Sequence, residues 1–332
     1  MPDSENLRLL LCEMGNHIRR ALAETRMAAD EASAVAHETA ADTIYAIDRI
    51  SEQAISEWFD SQWPSEEPVQ VIMEGLEDDD PLTFPRGTPV DHTRWRCIID
   101  PIDGTRGIMY DKRSAWALAG LAPQRGDATR LSDITIAAMT ELPVSKQWRA
   151  DQYSAVIGAG LVGTAIDVLR GTSHAIEPRP SRATDFRHGF ASFSKFFPEG
   201  RVLTSQVEAR LWDELHGLGS SKTPVVFDDQ YISTGGQFHE LLVGHDRLIA
   251  DLRPLLLAHA GLETSLTCHP YDCAAWPVLR EAGIVFEDLD GNFPDAPLDT
   301  TSPVGWIAYA NTTLANLARP AIQRAIREVL GK

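Results

Sequence analysis

Apolar positions spaced by three and four open the chain. Leu7, Leu10, Leu11, Met14 and Ile18 mark one face of a helix over residues 4–28, with Ser4 as its N-cap. A second helix is expected over 42–60, with Ile44, Ile47, Ile50, Ala54, Ile55 and Trp58 on its apolar side and Trp63-Pro64 closing it. The period then changes. Residues 69–73 alternate and are rich in branched side chains, which predicts a strand. Cys97-Ile98-Ile99 is a short apolar run ended by Asp-Pro, the pattern of a buried strand that stops abruptly. Between them, 78–91 carries three prolines and a glycine and reads as a loop. Residues 115–122 and 134–139 read as paired strands of a large sheet.

Gly158-Ala159-Gly160 with Gly163 forms a glycine-rich turn. It lacks the strand-turn-helix setting of a dinucleotide site and reads as a connection. It divides the chain into an N-terminal lobe, 1–165, and a C-terminal lobe, 166–332. In the second lobe helical and strand patterns alternate. Residues 190–197, 202–204 and 225–227 are strand-like, and 205–217 is helical. Residues 231–236 are polar and glycine-bearing. Residues 241–243 and 248–252 read as strands paired around Gly244-His245-Asp246. Residues 273–281 read as a helix ended by Gly283, followed by a strand at 284–286 and a turn at Asp290-Gly291. The end of the chain reads as two helices, 311–318 and a second after Pro320.

The chemistry concentrates at Asp100-Pro101-Ile102-Asp103-Gly104-Thr105. Pro101 fixes one φ angle and biases Asp100 towards an extended backbone. That puts Asp100 at a strand end and Asp103 one turn on, so both carboxylates can face one point. Hard divalent cations such as Mg²⁺ take oxygen ligands, usually one or two carboxylates plus substrate phosphate oxygens. The Ile102 carbonyl offers a further oxygen, and Gly104 lets the backbone approach a ligand closely. A helix beginning here would turn the N–H groups of Gly104 and Thr105 towards an anion, and the Thr105 hydroxyl can orient a water. Read alone, such a stretch is more often a polar turn after a core strand, because Asp, Pro and Gly are turn residues.

Two further stretches change that balance. Val71-Ile72-Met73-Glu74 lies upstream, and Tyr271-Asp272-Cys273-Ala274-Ala275 followed by Glu281-Ala282-Gly283 lies downstream. The three together resemble the signature of the inositol monophosphatase-like family of Mg²⁺-dependent phosphomonoesterases, in the superfamily that includes fructose-1,6-bisphosphatase. The resemblance implies an α/β fold, a two-lobed α-β-α-β-α layered sandwich with the site between the lobes. It implies Glu74, Asp100, Asp103 and the Ile102 carbonyl as ligands of one Mg²⁺, and Asp272 with shared acids for a second, two or three ions in all. Thr105, Glu74 and Asp48 become the catalytic groups: Thr105 orients the attacking water, and Asp48 supports a metal through water. Asp103, Gly104, Thr105 and Asp272 become contacts to a small phosphorylated substrate. Family members are often homodimers, although no stretch of this sequence marks an interface.

Each acid also has a plain reading. Asp48 reads as a solvated acid on a helix face, Glu74 as the start of an acidic loop running to Asp78-Asp79-Asp80, and Asp272 as a helix N-cap. The chain departs from the family pattern as well. Gly75 stands where a second Glu is usual, with Glu77 the nearest substitute. Tyr271 replaces the usual Trp, and Trp276 stands where a small residue is common. Both bear on substrate fit. Pro277 falls five residues into the expected helix, where it would bend it. Lys112 and Arg113 are the nearest cations to the motif, as a substrate clamp or a surface turn. The expected activity is phosphomonoester hydrolysis on a polyol or sugar. A 3′(2′),5′-bisphosphate nucleotidase or a fructose-1,6-bisphosphatase is the enzymatic alternative, which an extra basic pocket would reveal. A weakly catalytic binding or regulatory protein is the other, kept open by Gly75.

Composition narrows the partners. With 332 residues, 43% hydrophobic and 23% charged, the chain is long enough for two packed lobes. A formal net charge of −18 argues against nucleic acid and against an anionic membrane surface. It also repels a phosphorylated substrate unless bound cations dominate the local field. The four cysteines form no disulfide or zinc framework and read as reduced thiols of a cytoplasmic protein. No apolar run approaches the ~18 residues needed to span a bilayer.

Overall fold

The computed structural model describes residues 4–28, 35–38, 43–74, 81–218 and 223–331; for 25–28, 35–38 and 43–50 it describes the backbone alone. Helices α1 (Ser4–Ala28) and α2 (Ala46–Gln62) are separated in sequence by a small antiparallel pair, β1 (Val35–Glu38) and β2 (Thr43–Tyr45). The first large sheet follows from β3 (Val69–Met73), β4 (Thr83–Phe84), β5 (Trp95–Asp103), β6 (Ala115–Pro123), β7 (Ile136–Leu142), β8 (Arg149–Val156), β9 (Gly160–Asp167) and β10 (Thr172–Ile176), with the short helix α3 (Thr105–Met109) after β5. The rest of the chain runs through β11 (Gly189–Phe193), α4 (Arg201–His216), β12 (Val226–Phe227), α5 (Thr234–Leu242), β13 (Asp246–Asp251), α6 (Arg253–His259), α7 (Trp276–Glu281), β14 (Val285–Glu287), β15 (Trp306–Tyr309) and α8 (Thr312–Leu330).

The first sheet has the order β10-β9-β8-β7-β6-β5-β3-β4, and the second β12-β11-β13-β15-β14. The first is antiparallel except where β3 runs parallel to β5; in the second, β11 is parallel to both its neighbours. Both faces of the first sheet are covered. On one, α1 and α2 bury Leu7, Leu11, Met14, Ile18, Ile55 and Phe59 against Val71, Cys97 and Ile99. On the other, Ile98, Trp116 and Leu118 join Phe238 and Leu241 of α5, Leu279 of α7 and the second sheet. The alternation along β5 is visible in this split, since Cys97 and Ile99 enter one core and Ile98 the other. Helices α4 and α8 pack together and close the far side against β15. The result is a layered α-β-α-β-α sandwich.

Several elements differ from the sequence expectation. The Gly158–Gly160 turn joins β8 to β9 within one sheet, and that sheet continues to Ile176 before the second begins at Gly189. Residues 241–243 are the end of α5 and not a strand; Phe238, Leu241 and Leu242 are buried at helical spacing, a run of apolar residues too short to separate the two periods. Residues 202–204 belong to the first turn of α4. The terminal helix α8 continues through Pro320 as one element, giving up a single bond to the carbonyl of the exposed Asn316. Helix α7 begins only at Trp276, so Pro277 sits in its first turn, where a missing N–H costs nothing and no bend results.

Candidate metal centre

Strand β5 does not stop at Asp100. Asp100 lies opposite Leu118 of β6 and Asp103 opposite Trp116, so β5 takes three steps where β6 takes two. The extra residue is a β-bulge, and Pro101, which cannot donate to a ladder, falls inside it. Without the bulge, the alternation of side chains would send Asp103 to the opposite face from Asp100. With it, both acids share the face of Leu118 and Trp116, which looks towards the second sheet. The Ile102 N–H donates to Asp100 Oδ1 at 3.0 Å and fixes the first carboxylate. Gly104 follows with φ 97°, a left-handed conformation that turns the chain into α3.

The start of α5 grips Asp103. Ser233 Oγ donates to Asp103 Oδ2 at 2.9 Å, and the Gly235 N–H donates to the same oxygen. Ser233 is also the N-cap of α5, accepting from the Gly236 N–H at 3.0 Å. Asp272 comes from the turn between α6 and α7, and its Oδ2 accepts the His269 N–H at 2.7 Å. It therefore caps its own turn and not α7, whose cap position is Ala275. Small residues let this turn sit close to β6: a Cβ on Gly120 would come within 2.7 Å of the Ala274 carbonyl oxygen. One carboxylate oxygen each from Asp100, Asp103 and Asp272 lies within 4.8 Å of the other two.

Glu74 stands at the end of β3, beside β5, with its N–H on the Ile99 carbonyl at 3.4 Å. Its carboxylate lines the same cavity outside the close triad and accepts from the Tyr271 hydroxyl at 3.4 Å. The cavity holds about 150 Å³ and is walled on its other side by Phe196, Phe197, Ser233, Thr234, Arg253 and Tyr271. The Ile102 carbonyl accepts from the Thr105 hydroxyl at 2.9 Å. Gly104 and Thr105 both line the cavity. Asp48 falls in the first turn of α2, nearer the helix start than the sequence pattern implies, and its side chain lies outside the described residues, as do Gly75, Glu77 and 78–80.

Burial dominates the electrostatics, and repulsion among the acids adds to it at Asp100 and Asp272. Burial, then the charges of Glu74, Asp103 and Asp272, push the Asp100 carboxyl well above the usual range. Asp272 is likewise raised by burial and by Asp103. Asp103 rises only to about 6, because the Gly235 N–H and the Ser233 hydroxyl favour its ionised form against burial. Arg253 also favours the ionised forms of Asp103 and Asp272, but its guanidinium is held by the fully buried Asp251, with Nε to Oδ1 at 2.9 Å. Acceptor oxygens packed this closely cannot all ionise without a cation among them. The donor set suits a hard divalent ion taking oxygen ligands.

Other residues take different places from those expected. Arg113 pairs with Asp229 at 2.9 Å and lies over the Tyr231 ring, so it is no part of the cavity wall. The arginines in the wall are Arg106 and Arg253. Trp276 donates to the Leu131 carbonyl at 3.0 Å in the core between the sheets, away from the cavity. Ser233, Gly235 and Arg253 are not singled out by the sequence pattern. Ser233-Thr234-Gly235-Gly236 ahead of an apolar-periodic stretch does carry an N-cap signal. Nothing local marks Arg253.

No protein-family model matches the sequence, and no curated protein is significantly similar to it. Solved structures do match. Fructose-1,6-bisphosphatase from Leishmania major, in holo form, superposes with TM-score 0.65 at 16% identity, covering 97% of this chain and 95% of that one. The extragenic suppressor protein suhB from Bartonella henselae gives 0.62 at 16% identity, over 97% and 99%. An inositol monophosphatase from Zymomonas mobilis gives 0.56 at 17%, over 97% and 100%. The fold is that of the inositol monophosphatases. At these identities the likeness is one of architecture, and it extends over nearly the whole chain. Among the described residues no helix is long and apolar enough to cross a membrane.

Proposed function

We propose that the protein is a Mg²⁺-dependent phosphomonoesterase acting on a small phosphorylated polyol or sugar. The observation that carries the reading is the convergence of Asp100 and Asp103, from β5, and Asp272, from the turn before α7, on one small cavity in an inositol monophosphatase-type fold. Asp100, Asp103, Asp272 and the Ile102 carbonyl would hold the ions, with Glu74 close enough to charge the same space. Bound divalent cations supply Lewis-acid polarisation of the phosphoryl group and offset its charge. The chain's own part is positioning. Ser233 and the Gly235 N–H hold Asp103 in one orientation, and the Ile102 N–H holds Asp100. The Thr105 hydroxyl donates to the Ile102 carbonyl, which fixes its oxygen at the cavity where it would orient an attacking water. Arg106 and Arg253 favour an anionic guest at the cavity wall.

The test is phosphate release with Mg²⁺ from a panel containing inositol 1-phosphate, fructose 1,6-bisphosphate and 3′-phosphoadenosine 5′-phosphate. Turnover of the first supports the reading. Preference for a bisphosphate moves the assignment to the bisphosphatases or nucleotidases, a reading favoured by the two arginines in the wall. No turnover on any of them by metal-replete protein removes the enzymatic reading.

A further inference from the structure

A second cavity, of about 210 Å³, lies apart from the acid triad, between α5 and the adjacent strands β11 and β13 of the second sheet. Two side chains in its wall stand out. Asp246, at the start of β13, is 6% exposed. Among the described residues no donor lies within hydrogen-bond distance of its carboxylate, and no cation pairs with it. Gln237 of α5 is 2% exposed. Its Nε2 donates to Ser194 Oγ at 3.0 Å, while its Oε1 has no partner. Leaving a buried polar group unmatched is costly, and more so for a charge. Two in one cavity wall, both oxygens seeking a donor, mark a site built for something the chain itself does not supply.

The surroundings fix the sign of the missing partner. Glu240, in the same wall, is held ionised by His245, whose Nδ1 lies 2.6 Å from its Oε2, and by His239. Burial and then the charges of Glu240, Asp229 and Asp228 push the Asp246 carboxyl up to about 7. Arg113 does not relieve it, being tied to Asp229 at the rim. Beside the buried Ser192, the wall also carries ring faces, from the half-exposed Phe190 and from Tyr231, whose hydroxyl is already engaged by the Ser114 carbonyl at 3.0 Å. Acceptors at the base and ring faces at the side suit a positively charged nitrogen carried on a short hydrocarbon.

We propose that this cavity binds a small organic ammonium ion, its nitrogen donating to the Asp246 carboxylate and Gln237 Oε1 and its hydrocarbon lying against Phe190 and Tyr231. The site is independent of the phosphatase reading. The test is calorimetric titration of the full chain with 1,4-diaminobutane at about pH 8 and physiological ionic strength. Asp246→Asn should weaken binding at least about tenfold, the loss expected for a charge-assisted hydrogen bond. Asp103→Asn, which disarms the acid triad, should leave binding unchanged. Melting temperatures establish that the variants fold; should Asp246→Asn fail to fold, Gln237→Leu reads the same site with a smaller loss. Equal binding by wild type and Asp246→Asn, loss of binding in Asp103→Asn, or no binding at all each overturns the proposal. Displacement of the amine by equimolar potassium chloride would also overturn it, in favour of an inorganic cation.

Discussion

A carboxyl group sealed among other carboxyl groups keeps its proton until a cation replaces it. Burial raises Asp103 to about 6 against an ordinary 3.8, even with the Gly235 and Ser233 donors favouring its ionised form. The sign follows from linkage. In metal-free protein the folded state holds this proton more tightly than the unfolded state. The stability it contributes is present below about pH 4 and is lost as the pH rises through about 6, at up to about 1.4 kcal/mol per unit. A divalent ion must displace that proton, so binding strengthens as the pH rises through the same window. The Mg²⁺-induced rise in melting temperature should be larger at about pH 7.5 than at about pH 5, which a thermal denaturation series will show. Asp103→Asn should lower phosphate release by more than about 100-fold, measured as kcat on whichever phosphomonoester turns over.

At the scale of elements, the site depends on a bulge and a helix start. The bulge at Pro101 keeps two acids on one face of β5, and Ser233 joins the cap of α5 to Asp103. Ser233→Ala should cost about 1 kcal/mol of stability through the lost cap and lower kcat by about 10–100-fold through a loosened Asp103, with urea denaturation reading the first and turnover the second. Gly120→Ala should push the Asp272 turn away from β6, destabilising the fold by about 1–3 kcal/mol and reducing activity as well. These dependencies were unevenly legible in the sequence. Asp100 and Asp103 announce themselves as a pair within four residues, and Pro101 signals an interruption. The sequence pattern suggests a strand that ends there; only the register against β6 shows a strand that continues with one residue too many. The alternation in β3 and the helical spacing in α1 could be read directly, because each has one buried face. Residues 241–243 could not, because three apolar residues fit either period, and the burial of α5 between two sheets decided the matter.

At the scale of the whole molecule, the net charge of −18 and the buried acids pull in the same direction, both favouring bound cations. Nothing in the spacing of Asp272 from Asp100 says that they meet; their encounter needs the second sheet and the Gly120 contact in place. Arg253 was invisible for the same reason, since its position beside the acids is set by the buried Asp251 and by tertiary packing. Mg²⁺ at concentrations well above its dissociation constant should raise the melting temperature of the intact chain, and the shift should shrink in Asp272→Asn.

The triad is split so that Asp100 and Asp103 lie in the first third of the chain and Asp272 near its end. A polypeptide emerging from the ribosome therefore carries two of its acids for most of its synthesis without the third. The close triad can assemble only after Asp272 has been made and its turn has packed against Gly120. Under the proposed reading, no complete ion site exists before that contact forms.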